Sequence, residues 1–211
     1  MVLILVFAAS RWLGLIPHTY MPSNFSAAYA LAYCAGLYLP RRLAWIVPLS
    51  VMMVTDLLLT FLYYHPDNYS LLDFFRDQLP NYAAYAVLIG LGVLLGGKRS
   101  WWTLLSGGIF GAILFYLITN TASWMTIPQY AKTLAGWIQA LTRGLPGLPP
   151  TWEFFRGTLL SGGIFTAFFV GAMKLVESAE PAPAEEEAEE GEEAGEEPAS
   201  LAPAAGELDD N

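Results

Sequence analysis

"VMMVTDLLLTFLYY" occupies residues 51–64 and holds one ionisable side chain, Asp56, in an otherwise apolar run. Together with the residues before it, the run forms an apolar segment over 43–63. That is long enough to cross a hydrocarbon layer, which takes about 20 mostly apolar residues. A carboxylate at such depth costs roughly 2.5–3.5 kcal/mol on insertion scales, so it is expected to face a partner or a wet cavity.

Five further apolar segments surround this one, at 2–16, 25–39, 80–96, 101–124 and 157–176. The pattern predicts an all-α integral membrane protein, a bundle of six transmembrane helices over residues 1–176. The segments at 2–16 and 25–39 are short and need flanking residues such as Trp12 and Tyr38 to complete a span. "MVLILVFAASRWLGLIP" lacks the basic start of a signal peptide, and Arg11 interrupts its far end. It is therefore read as the first span, with cleavage as the alternative.

Composition agrees. The chain of 211 residues is 55% hydrophobic, and its formal charge of −9 hides two regimes. Residues 177–211 hold 14 of the 19 acidic side chains and no basic one. The first 176 residues carry 10 basic and 5 acidic groups, a net of +5. The Glu/Ala/Pro-rich stretch 177–211 is expected to be a disordered, solvated tail, extended by its own charge. Cys34 is the sole cysteine, which excludes disulfides within the chain and all-cysteine metal cages.

Arg41, Arg42, Lys98, Arg99 and Lys174 fall on one side of a six-span arrangement. That side becomes the cytoplasm by the positive-inside rule, with both termini inside. The opposite, outer side carries two structured loops. "SLLDFFRDQLP" (70–80) starts with Ser70 and Asp73 in capping-box spacing and has an apolar face. "YAKTLAGWIQALTRG" (130–144) reads as a second amphipathic helix ended by Gly144. Either would lie flat over the bundle, as an interface anchor or as a lid.

"TLLSGGIF" occurs twice, at 103–110 and 158–165. Neither copy continues into a phosphate loop, and both sit inside apolar segments. Helix packing is the expectation, with Gly92 and Gly96, Gly107 and Gly111, and Gly163 and Ala167 forming small-xxx-small faces. An inverted internal repeat is the alternative.

Depth along each helix brings one set of polar residues to a common level near the outer face. Arg11, Asn24, Asp56, Asn120 and Trp124 come from four helices, and Tyr116 starts the polar-aromatic stripe that Asn120 and Trp124 continue. Ser23 or Asn24 would cap the second helix. Asp56 either pairs with Arg11 to organise the bundle or binds a ligand, and the two roles are compatible. His18 and His65 are not fixed together by any pattern, so no metal is expected. No nucleophile motif, zinc motif or paired catalytic carboxylate appears, and no residue set argues for an enzyme.

"IPHTYMPSNFSAAYALAYCAGLYLPRRLAWIVPLSVMMVTDLLLTF" resembles the start of a family of small bacterial membrane proteins of unassigned function. That family is related to the substrate-binding S components of energy-coupling factor (ECF) transporters. Pro17-His18, Asn24-Phe25, Arg41-Arg42, Val47-Pro48-Leu49 and Thr55-Asp56-Leu57 carry the resemblance. Asn120, Trp124, Tyr130 and Gly136 continue it in "FYLITNTASWM" and "YAKTLAGW". It covers about 15–176 and leaves out the acidic tail. It implies a six-helix S-component fold in the bacterial inner membrane, with a solute pocket near the outer face. The implied partners are the bilayer, a small solute, a coupling subunit and two ATPases that hydrolyse ATP. No cofactor of its own and no nucleic acid is implied. Known S components dock through Ala-xxx-Ala on helix one, whereas "VFAASRWLGL" offers Ser10-xxx-Gly14. The alternative is a membrane scaffold without transport, and a third reading is an intramembrane enzyme using Asp56.

Overall fold

The computed structural model describes Ser10 and residues 24–64, 67–97 and 100–179. Arg11, Gly14, His18, Ser23, His65, Lys98, Arg99 and the tail beyond Ala179 lie outside the described residues, and so do the expectations placed on them. Within the described residues the protein is all helical, with six α-helices and no strand. These are α1 (Ala28–Tyr38), α2 (Arg41–Leu57), α3 (Leu71–Leu95), α4 (Trp101–Thr126), α5 (Leu134–Leu141) and α6 (Thr151–Ala179). A π-helical segment, Leu58–Tyr64, prolongs α2.

Four helices are long and apolar enough to cross a membrane: Arg41–Leu62, Leu71–Leu95, Trp101–Thr126 and Thr151–Ser178. α1 is not among them. Its 11 residues rise about 16 Å, roughly half of a hydrocarbon core. Its sequence, "AYALAYCAGLY", is apolar on every face, the signature of a helix surrounded by others. Residues 28–36 are all buried, and α1 packs on α2, α3, α4 and α6.

Small residues set the closest crossings. A Cβ on Gly92 of α3 would lie 2.1 Å from the Tyr33 carbonyl of α1, and one on Gly36 would lie 2.2 Å from the Ile89 carbonyl. Next to them the Tyr33 hydroxyl donates to the Leu104 carbonyl at 3.0 Å, over Gly107. Between α4 and α6 the contact is reciprocal. A Cβ on Gly108 would meet Thr166 at 2.4 Å, and one on Gly162 would meet the Ala112 methyl at 2.6 Å. Each repeat thus gives a glycine to a small residue four positions beyond the other repeat's own close-packed glycine.

One of the expected glycine faces needs correction on this point. Gly163 has only Ile109, at 3.9 Å, near its Cβ position, and Gly162 makes the crossing. The other two faces pack closely as expected: Gly107 and Gly111 face α1 and α3, and a Cβ on Gly96 would lie 3.2 Å from the Leu37 carbonyl.

Two further expectations are corrected. "SLLDFFRDQLP" is not a separate helix; it forms the first turns of α3, which continues through Pro80 to Leu95. The capping box is present, with the Asp73 N–H donating to the Ser70 hydroxyl at 3.2 Å and the Ser70 N–H donating to Asp73 at 3.0 Å. An interior proline removes one helical donor, at a cost of ~3 kcal/mol. Burial of Phe74, whose ring lies 5.9 Å from that of Phe61, holds the first turns in line. The second correction concerns Asn24, which does not cap α1. It takes a left-handed φ of 61°, and the Ser10 and Ser26 hydroxyls accept from the Ala27 and Ala28 N–H groups instead, at 3.1 and 3.2 Å.

Candidate functional site

Asp56 lies near the end of the α-helical part of α2, just before the chain widens into the π-helical segment. Such widened turns place an extra residue in a helix and recur at functional sites. The Asp56 carboxylate is buried, at 4% exposure. Tyr82 of α3 donates its hydroxyl to Asp56 Oδ2 at 2.9 Å and lies 3.8 Å from Met53 Sδ. A hydrogen bond to an ionised acceptor is about twice as strong as a neutral one.

An aromatic run leads away from this pair. The Tyr82 ring meets Tyr85 edge-on at 6.2 Å, Tyr85 lies 5.0 Å from Phe115 of α4, and Phe115 meets Tyr29 of α1 at 4.6 Å. Tyr29 then donates its hydroxyl to the Asn24 carbonyl at 3.1 Å. Asp56 and Asn24 are thus the two ends of one continuous tyrosine-phenylalanine layer through the core. Tyr82 and Tyr85 were missed from the sequence, although their spacing in "NYAAYA" (81–86) puts both on one helical face.

Three of the expected site residues, Tyr116, Asn120 and Trp124, bond elsewhere. Tyr116, Asn120 and Trp124 follow one face of α4 but serve α5 and the α4 backbone. Tyr116 donates to the Leu141 carbonyl at 2.6 Å, and Trp124 Nε1 donates to the Ala131 carbonyl at 2.9 Å. Asn120 Nδ2 donates to its own helix, at the Tyr116 carbonyl, 2.9 Å away. Trp137 of α5 returns a bond to Thr121 Oγ1 at 2.9 Å, and Lys132 donates to the Trp124 and Ile127 carbonyls. α1 and α3 both pack on α2 and on α4, which share no extended contact with each other. The expected convergence is therefore corrected for two of its members: Tyr82 donates to Asp56, while Asn120 bonds its own helix and Trp124 holds the segment leading into α5. The Asn24 side chain is exposed, and Arg11 lies outside the described residues.

α5 is shorter than the amphipathic helix expected over 130–144. Thr133 caps it, accepting from the Gly136 N–H at 3.2 Å. Gly144, at a φ of +72°, turns the chain where the sequence placed the helix end. An open groove of about 840 Å3 runs between α5 and residues 143–148, and none of Asp56, Tyr82, Tyr116, Asn120 and Trp124 lines it.

At the foot of α3 the Tyr69 hydroxyl donates to Asp77 Oδ2 at 2.9 Å. Partial burial and then this bond push the Tyr69 phenol up to about 12. Burial likewise raises Tyr130. Among the described residues no group of three His, Cys, Asp or Glu side chains stands together as a metal site.

These features define an all-helical protein with four helices fit to cross a membrane and one buried carboxylate at a helix widening. The chain belongs to a family of unknown function, DUF6580, whose model matches residues 1–184. The match takes in all six helices and stops early in the acidic segment. No curated protein and no solved structure matches the chain.

Proposed function

We propose that this protein is a multi-pass membrane protein that captures a small solute for uptake, in the manner of the ECF S components its sequence resembles. The observation that carries the reading is Asp56. A carboxylate inside a helix of spanning length is costly to keep, and here it is buried, hydrogen-bonded to Tyr82 and set against a helix widening. Asp56 and Tyr82 form the polar end of the solute site, and Tyr85 and Tyr29 supply aromatic faces. This site replaces the wider constellation that included Asn120, Trp124 and Tyr116. The distribution of arginine and lysine favours termini on the cytoplasmic side of a bacterial inner membrane, with ATP hydrolysis left to partner ATPases.

Native mass spectrometry of the detergent-purified full chain tests this, beside Asp56→Asn. A discrete small-molecule adduct on the wild type, absent from a folded Asp56→Asn protein, is the expected result. A bare wild-type protein that also shows no thermal shift across a metabolite panel sinks the reading. The second reading, a membrane scaffold, is favoured by the α4–α5 clasp, which commits Tyr116, Trp124 and Trp137 to holding the fold.

A further inference from the structure

The groove beside α5 is a built feature. One wall is a single helical face, with Ile138, Gln139 and Thr142 among its residues, and the other is the returning segment through Leu148. Gln139 fixes the two walls together. Its carbonyl accepts from the Gly144 N–H at 2.8 Å, and its Nε2 donates to the Gly144 carbonyl at 3.0 Å. The Trp152 N–H donates to the Thr142 carbonyl at 3.0 Å, which ties the turn to the start of α6. Gly144 allows no substitute here, because a Cβ would sit 2.7 Å from Thr151 Oγ1 in a left-handed backbone.

Three properties of this groove point to one occupant. No acidic residue lines it, and the Arg143 guanidinium makes no hydrogen bond or ion pair among the described residues. Its apolar side chains are uncovered, Ile138 at 49% and Leu148 at 64% exposure. Its position is at the end of the bundle where α4 finishes at Thr126 and α6 begins at Thr151, both helices of spanning length. That is the level at which a span leaves the hydrocarbon for the headgroup layer.

We infer that the groove holds the headgroup of an anionic phospholipid. Arg143 takes the phosphate through its forked donors, and Ile138 and Leu148 lie along the first methylenes of the acyl chain. A free anion would leave both apolar side chains in water, and a zwitterionic headgroup would offer Arg143 the same phosphate with its attraction weakened by the neighbouring ammonium. The inference rests on the reading that the protein spans a membrane, and it is independent of the solute site.

The test is native mass spectrometry of the full chain released from nanodiscs of equal phosphatidylglycerol and phosphatidylcholine. Wild type, Arg143→Gln and Arg76→Gln are compared, Arg76 being an exposed arginine on α3. The expected result is a retained phosphatidylglycerol adduct that falls roughly tenfold in Arg143→Gln, the loss of one charge-assisted contact. It is unchanged in Arg76→Gln and survives excess inorganic phosphate. Equal retention of both lipids, an undiminished adduct in Arg143→Gln, or displacement by inorganic phosphate overturns the inference. Carbonate extraction of the wild-type protein from membranes separates the two failures. A carbonate-resistant protein without the adduct removes the lipid site alone, and an extractable one removes the membrane reading with it.

Discussion

Tyr82 reaches from α3 to place its hydroxyl 2.9 Å from the Asp56 carboxylate on α2, and this bond ties the two helices at the level where α2 widens. Removing the hydroxyl in Tyr82→Phe takes a charge-assisted donor from a buried acceptor. A loss of about 1.5–3 kcal/mol in unfolding free energy is expected. A double-mutant cycle with Asp56→Asn in detergent denaturation checks it. Strictly additive losses would mean that the contact carries no energy.

The two glycines of the second repeat should behave oppositely. Gly162→Ala drives a methyl to 2.6 Å from the Ala112 methyl between two long helices, and a loss of about 1–3 kcal/mol is expected. Gly163→Ala meets only Ile109 at 3.9 Å and gains helix propensity, so it should be neutral or stabilising by roughly 0.5–1 kcal/mol. Melting temperatures of the two variants decide the register. Equal effects would show that α4 and α6 do not cross as described.

The clasp on α5 predicts a local change. Tyr116→Phe removes the bond to the Leu141 carbonyl, worth about 1 kcal/mol, and leaves the α4 core packed. Amide exchange should speed up over residues 134–144 while residues 104–115 keep their protection. Uniform loss of protection across α4 would argue that the hydroxyl supports the bundle rather than the short helix.

Tyr69 gives a pH prediction of definite sign. Its phenol is raised from 10.0 to about 12 in the folded chain, so folding favours the protonated form. The stabilisation is complete below pH 10 and is lost as pH rises through about 12. An ultraviolet phenolate titration of wild type against Tyr69→Phe should show one tyrosine missing from the late-titrating group. A missing tyrosine at the ordinary value would rule the contact with Asp77 out.

Much of this was legible in the residues. The spans of α2, α4 and α6, the Ser70–Asp73 cap and the turn at Gly144 all follow from local chemistry that neighbours do not override. Pro80 misled because a proline beside a polar stretch ordinarily closes a helix, and only tertiary burial of Phe74 shows that this one does not. The glycine face of the second repeat was one residue out for a related reason: adjacent glycines in an apolar run, Gly162 and Gly163, are equivalent until a partner is known. For Asn120 and Trp124 the polar constellation failed on geometry. Counting residues from a helix end gives height along the helix and says nothing about which way a side chain points. Asp56 and Asn120 therefore shared a level in the sequence reading, while Asp56 accepts from Tyr82 and Asn120 bonds its own helix.

The shortness of α1 bears on how the chain is assembled. At about 16 Å the helix is too short to be held by lipid alone, and its buried surface is covered by α3, α4 and α6 as well as α2. Three of those four are synthesised after α2 has been completed. The centre of the molecule is therefore the part that waits longest during biogenesis, and α6, made last among the six helices, closes over one of the first segments to leave the ribosome. A chain halted before Thr151 would carry its Ala-, Cys- and Tyr-rich core helix with one side open.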